Sequence, residues 1–162
     1  KDGRALTTAV PSFKSGNFTT RVADKSLRAS LLQDVLPVAK KRVKADLIDI
    51  RGADEYNGKI FAAPGFQELA VRAGHIPGAI NVPWGANVNA DGTFKTVAEL
   101  KKLYADKGVD GKQNIITYCR IGERSSLTWF VLSEILGYNV KNYDGSWTEY
   151  GSLVGVPVAV GA

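Results

Sequence analysis

From Phe18 onward, short runs of branched and aromatic residues alternate with segments of helical period, and this alternation restricts the chain more than any other feature. A parallel strand pair needs a crossover long enough to hold a helix, so the alternation is the mark of βαβ units around a mostly parallel sheet. Five segments read as strands: 18–22, 46–50, 79–82, 114–118 and 140–143. The expected fold class is therefore α/β, a three-layer arrangement with a five-stranded, mostly parallel sheet and helices on both faces.

Three helices are expected between the strands. Residues 27–36 place Leu27, Leu31, Leu32, Val35 and Leu36 on one face, with Pro37 ending or restarting the helix. Thr96 followed by Glu99 forms a capping box for a helix that points Val97, Leu100, Leu103 and Tyr104 inward and stops at Gly108. A third helix, 124–136, carries Leu127, Phe130, Val131 and Ile135, widened by Trp129, Leu132 and Leu136, which predicts a nearly buried helix. The segment 51–74 contains Gly52, Gly58, Pro64 and Gly65 and is expected to wrap the sheet as a loop.

A length of 162 residues suits one compact domain. Residues 1–17 have no sustained apolar period and read as a linker, leaving 18–162 as the domain. The chain starts at Lys1 and contains no methionine, so it is expected to be a piece of a longer product. No apolar run reaches the roughly eighteen residues that a membrane span requires, and no secretory leader is visible, so a cytoplasmic location without membrane contact is expected. The net charge is +5, with its densest part at Lys40, Lys41, Arg42 and Lys44. No aromatic interleaving accompanies that run, which reads as a solvated helix end rather than a nucleic-acid site. One cysteine excludes an internal disulfide, and one cysteine with one histidine gives no cluster of soft ligands, so neither metal nor other cofactor is expected.

The segment 115–126 carries the chemistry. It reads as an apolar strand, a tight loop and a helix start, which puts Cys119 at the carboxyl end of a strand, the edge where open α/β sheets hold their sites. Amides of the loop and the positive end of the following helix converge there, and Arg120 and Arg124 add positive charge. A thiolate is stabilised in such surroundings, so Cys119 is expected to be a nucleophile. A small buried hydrophobe is the alternative for a lone cysteine, and two arginines beside it make that a poor fit.

Cys119-Arg120-Ile121-Gly122-Glu123-Arg124-Ser125 resembles the active-site loop of the rhodanese family. Segment 74–83, GHIPGAINVP, is similar to a second signature of that family, 143–150, YDGSWTEY, to a third, and Asp46 to Arg51 to its strand ending in Asp-x-Arg. All four occur in the family's order, between about Phe18 and Gly151, and the wording is nearly that of actinobacterial members. The resemblance implies a sulfurtransferase in which Cys119 takes sulfane sulfur from a small anionic donor such as thiosulfate, holds it as a persulfide, and passes it to cyanide or a cellular thiol. It implies a cradle of amides from Ile121, Gly122, Glu123, Arg124 and Ser125 for the extra sulfur. Arg120, Arg124 and Arg51 are the candidates for the donor's sulfonate, each with an ion pair to Asp49, Glu55, Glu123 or Glu149 as its structural alternative. Asp49, His75 and Trp147 are expected to be structural neighbours of the site, His75 rather than a general base.

Gly3 to Thr8 resembles the link between the halves of tandem-domain thiosulfate sulfurtransferases, so the chain resembles the catalytic half, with a non-catalytic N-terminal rhodanese domain as its absent partner. Mercaptopyruvate enzymes of the family begin their loop with Cys-Gly, and Arg120 instead points to thiosulfate. Three alternatives remain: a 3-mercaptopyruvate sulfurtransferase, a cysteine phosphatase or arsenate reductase, and a non-catalytic binding module. Phosphatase loops place five residues between cysteine and arginine; here four separate Cys119 from Arg124, a smaller ring suited to one sulfur atom.

Overall fold

A strand covered on both faces needs apolar residues at consecutive positions, as in the fully buried run Ile115–Tyr118. The structure, a computed structural model, describes residues 3–20, 22 and 24–161. Among these, four strands form the sheet: β1 (Asp46–Asp49), β2 (Ile80–Asn81), β3 (Ile115–Tyr118) and β4 (Val140–Asn142). Their order is β2-β1-β3-β4, every pair parallel, with Asp46 opposite Ile115 and Ile115 opposite Val140. The helices are α1 (Leu36–Ala39), α2 (Ala53–Tyr56), α3 (Val97–Ala105), α4 (Glu123–Phe130) and α5 (Ser146–Tyr150).

Side chains alternate across each strand, and this divides the core in two. Leu47, Ile116 and Tyr118 face Val35, Ala39, Trp147 and Tyr150, from the α1 and α5 side. Ile48, Ile50, Ile115 and Val140 face Leu100 and Tyr104 of α3 and Val131 and Leu132 at the end of α4. Helices thus cover both faces, as the α/β pattern requires. Each residue of β3, the central strand beside β1 and β4, is buried.

Several expectations are corrected. The segment 51–74, expected as a loop, holds the short helix α2, opened by the Glu55 side chain returning to the Gly52 amide. Among the described residues the strand expected at 18–22 does not form: Phe18, Thr19, Thr20 and Val22 have no regular structure, Phe18 and Val22 are 87% and 96% exposed, and Arg21 lies outside the described residues. Strand propensity describes a fit to a half-buried, paired surface, and this segment meets neither a partner nor a core. The fifth place in the sheet is reduced to one parallel bridge, Arg28 to Asn142, beside β4.

The first helix is shifted toward the carboxyl end. It starts after Ser30, whose hydroxyl accepts from the Gln33 amide at 3.0 Å, and runs as a wide π-turn, Leu31–Val35, into α1 through Pro37. Proline lacks the amide an α-helical turn would need and its ring crowds the carbonyl four residues back. Widening the preceding turn relieves both, so Pro37 sits inside the helix. Val35 is buried as expected, while Leu27 and Leu32 are exposed.

The third helix, α4 continued by a π-turn Val131–Ile135, buries Val131 and Leu132 but leaves Phe130 43% exposed, stacked on Phe94 at 5.7 Å, so it is less buried than its composition predicts. The helix after Thr96 has the expected box, Thr96 Oγ1 accepting from Glu99 N and Glu99 Oε2 from Thr96 N, and buries Leu100 and Tyr104 but not Val97.

Candidate active site

A parallel sheet lays its strand ends and the following loops along one edge, and every residue of interest comes from there. Cys119 follows β3 directly, and the turn 120–122 leads into α4. Gly122 makes that turn possible. Its φ is +82°, a region side chains rarely adopt, and a Cβ built there would lie 2.6 Å from Asp144 Cα and 2.8 Å from Asp144 O. Glycine therefore lets the loop close against the chain leaving β4. Gly122 offers no side-chain cap to α4, so the first-turn amides of that helix have no side-chain acceptor.

The loop is fixed from the other side by α5. The Cys119 amide donates to Ser146 Oγ at 3.1 Å, and Ser146 Oγ donates to Tyr143 O at 2.7 Å. The amides of Trp147 and Thr148 donate to the carbonyls of Cys119 and Arg120, both at 3.0 Å. Ser146 is buried and has φ of +50°. Ser125 Oγ and Asn142 Nδ2 both donate to Gly122 O, at 3.0 and 3.1 Å. With these anchors the carbonyls of the loop are turned outward to protein donors.

Cys119 lies at the base of a cleft of about 300 Å³. Phe66, Trp84, Ala62, Ala63 and Ile121 supply its apolar walls; Glu55, Arg120, Glu123 and Arg124 supply its charges. Arg120 sits on the rim, its Nη1 donating to Gln67 O at 2.7 Å and its guanidinium 5.9 Å from the Phe66 ring centre. Arg124 is part-buried and paired with Glu55, Nη2 to Oε1 at 3.2 Å and Nη1 to Oε2 at 3.4 Å. Burial pushes the Arg124 pKa down, but Glu55 more than offsets this and it stands above the usual arginine value.

Arg51 is outside the cleft. Its side chain is 1% exposed and its Nη2 meets Asp49 Oδ2 at 2.7 Å and Gly74 O at 2.7 Å, while Trp147 lies beneath it, 4.7 Å from the ring centre. Asp49 holds both Nε and Nη2, which makes the pair a fixed unit under the site. His75 stacks on Tyr56 at 3.7 Å, and its Nδ1 is 2.9 Å from Tyr56 O. Burial lowers its pKa despite that carbonyl, so the ring is held neutral. Trp147 is buried, donating from Nε1 to Arg72 O at 3.0 Å.

The structure thus gathers Cys119, Arg120, Ile121, Glu123 and Arg124 around one cleft, with Gly122 and Ser125 in the same loop, and leaves Arg51, Asp49, His75 and Trp147 as a packed layer outside it. Sequence reasoning missed Phe66, which comes from the irregular segment, and Ser146, whose role depends on a left-handed backbone no local pattern announces.

Three comparisons bear on this geometry. The model of the rhodanese-like domain family matches residues 34–153. A protein of Thermus thermophilus named sulfur carrier protein TtuD is 51% identical over 99% of the chain and 58% of its own length. A protein of Mycobacterium tuberculosis with the provisional name thiosulfate sulfurtransferase is 55% identical over 99% of the chain and 57% of its own length. The chain therefore spans little more than half the length of these relatives. Among solved structures, an ergothioneine biosynthesis enzyme of Chlorobium limicola aligns with a TM-score of 0.72 at 25% identity, over 85% of this chain and 33% of that one. A variant of EanB carrying a cysteine persulfide, solved with ergothioneine, aligns with a TM-score of 0.66 at 28% identity, over 77% of this chain and 31% of that one.

Proposed function

Because the chain belongs to the rhodanese-like domain family, we propose that it is the cysteine-bearing part of a thiosulfate sulfurtransferase. The Cys119 thiolate attacks the outer sulfur of thiosulfate, the S–S bond breaks, and sulfite leaves with its electron pair. The persulfide anion that remains rests among the amides of Ile121, Gly122, Glu123, Arg124 and Ser125. Cyanide or a thiolate then attacks the terminal sulfur, and the Cys119 thiolate departs as the leaving group. Thiolate and products balance over the cycle without oxidant or reductant, and the step needs no cofactor.

The observation that carries this reading is the position of Cys119, at the carboxyl end of a buried central strand and the base of a cleft flanked by two guanidiniums. Loop amides stabilise negative charge on sulfur without a cation in contact. Arg120, with the paired Arg124, is assigned to the donor's sulfonate, whose oxygens match a guanidinium fork. Arg51 is assigned to the scaffold with Asp49, because its Nε and Nη2 are committed to Asp49 and Gly74 O and it does not line the cleft.

Phe66 of the cleft wall is exposed, as are Ile60, Phe61 and Leu69 of the same segment. Relatives nearly twice as long support a further, non-catalytic N-terminal domain as the cover of this apolar segment. A cytoplasmic setting goes with this reading, because a reactive free thiol persists under reducing conditions. Among the described residues no helix is long and apolar enough to cross a membrane.

Steady-state thiocyanate formation from cyanide, with thiosulfate and 3-mercaptopyruvate as parallel donors, tests the assignment. Thiosulfate is expected to give the larger kcat/KM. A larger value for mercaptopyruvate overturns the donor, and faster hydrolysis of p-nitrophenyl phosphate than either transfer overturns the reaction class.

A further inference from the structure

An anion-binding cleft gains nothing from a buried carboxylate, yet one stands in this site. Glu55 is 2% exposed and lines the cleft together with Cys119 and Arg124. Local structure explains how it is held. As the third residue of α2 it turns back so that its Oε2 accepts from the Gly52 amide at 3.1 Å. That needs one oxygen and no particular charge. The other oxygen, Oε1, accepts from Arg124 Nη2 at 3.2 Å, and Oε2 also accepts from Arg124 Nη1 at 3.4 Å.

The charge balance follows. Arg124 is the only guanidinium inside the cleft among the described lining residues that is not on its rim, and Glu55 already neutralises it. The pair is long and not quite parallel, and Arg124 keeps about a third of its side chain open to solvent. It is therefore a pair that an incoming oxyanion can compete with, unlike Asp49–Arg51, which is fully enclosed and short. Glu123 adds a second carboxylate to the lining. With Cys119 as thiolate or persulfide, the lining carries no net positive charge to draw in a doubly charged donor.

We propose that Glu55 is a specificity-determining residue of this cleft, competing with the donor's sulfonate for Arg124 and so weakening the site for dianionic sulfur donors relative to uncharged or cationic sulfur compounds. This rests on the sulfur-transfer reading above. Physically, donor binding has to exchange one ion pair for another at Arg124 instead of meeting a free cation. The same exchange helps sulfite leave, since Glu55 recovers its partner as the product departs. Glu55 therefore sets donor affinity and release, while the bond-making step belongs to Cys119.

The variant Glu55→Gln tests it, because an amide oxygen still accepts from the Gly52 N–H and the helix start is retained. Two readouts are taken on wild type and variant. One is the thiosulfate concentration that half-loads Cys119 with sulfur, followed by intact mass. The other is the rate of Cys119 labelling by methanethiosulfonates that differ only in charge, the neutral methyl, the anionic sulfonatoethyl and the cationic trimethylammonioethyl reagents, each forming a disulfide with Cys119 as methanesulfinate leaves. Removing one charge at this range is expected to lower the half-loading concentration about threefold to tenfold and to shift the anionic-to-cationic labelling ratio by a similar factor, with the neutral rate little changed. Equal effects on all three reagents mean a merely structural role and overturn the proposal, as does an unchanged ratio. If neither protein takes up sulfur from thiosulfate while both are labelled, the sulfur-transfer reading fails instead, and the labelling ratio still decides the role of Glu55.

Should the variant not fold, the wild type decides. Sulfate, an unreactive dianion, is titrated while the guanidinium Nε–H signals of Arg120 and Arg124 are followed by ¹⁵N NMR. Competition requires the Arg120 signal to shift at lower sulfate than that of Arg124; an Arg124 signal that shifts at the same or lower sulfate contradicts it.

Discussion

Gly122 shows how much of the site depends on single positions. Its φ of +82° and the closeness of Asp144 leave no room for a Cβ. Gly122→Ala combines left-handed strain with an overlap against backbone, and is expected to cost about 2–4 kcal/mol in urea unfolding, with loss of sulfur transfer. His75 sits at the opposite extreme, close to the site in sequence logic but committed to Tyr56. A general base is worth about a hundredfold or more, so His75→Gln is expected to lose far less than that in kcat. Its effect belongs to stability and pH. Burial depresses the folded pKa, so the unfolded chain binds the proton more readily; wild-type stability is expected to hold above about pH 6.5 and to fall as pH drops below it. Urea midpoints measured from pH 7.5 to 5 are expected to show that decline in the wild type and to lose it in His75→Gln.

Elements were legible where local chemistry and packing agree. The capping box of Thr96 and Glu99 and the buried run of β3 are read directly from residues, because each needs only its own neighbours. The stretch 18–22 has a strand's composition, yet its described residues pair with no strand, and composition cannot supply a partner. Ser30 opens the first helix with Asp34 returning to its amide at 2.8 Å, a spacing of four rather than three, which hid the helix start from the usual signature. Asp34 also pairs with Lys141 of β4 at 2.8 Å, joining that helix to the sheet. Asp34→Ala is expected to cost about 1 kcal/mol at neutral pH, a small sum because solvent screens the pair. Partial burial raises the Asp34 pKa, but Lys141 and the Ser30 amide outweigh it and hold it low. The stabilisation is therefore present above about pH 4, the unfolded value, and is lost as pH falls through the lowered folded one, so wild type and variant are expected to converge in acid.

At the scale of the whole molecule, two apolar layers fix the sheet, and the two loops at its carboxyl edge fix the cysteine. The Cys119 loop was legible because glycine, arginines and cysteine fall within a few residues of one another. Its supports were not: Ser146, Trp147 and Thr148 approach from a helix more than twenty residues away, and Arg72 holds the carbonyls of Tyr150, Gly151, Leu153 and Val156, contacts that exist only once the chain has closed on itself. Charge in the cleft was half legible. Arg124 could be read as a donor site from the sequence, but its commitment to Glu55 required the geometry. The most direct measurement is the intact mass of the chain after incubation with thiosulfate and removal of excess reagent. The account predicts a gain of one sulfur atom in the wild type, reversed by cyanide, and none in Cys119→Ser. No gain in the wild type, or an equal gain in the serine variant, would contradict it.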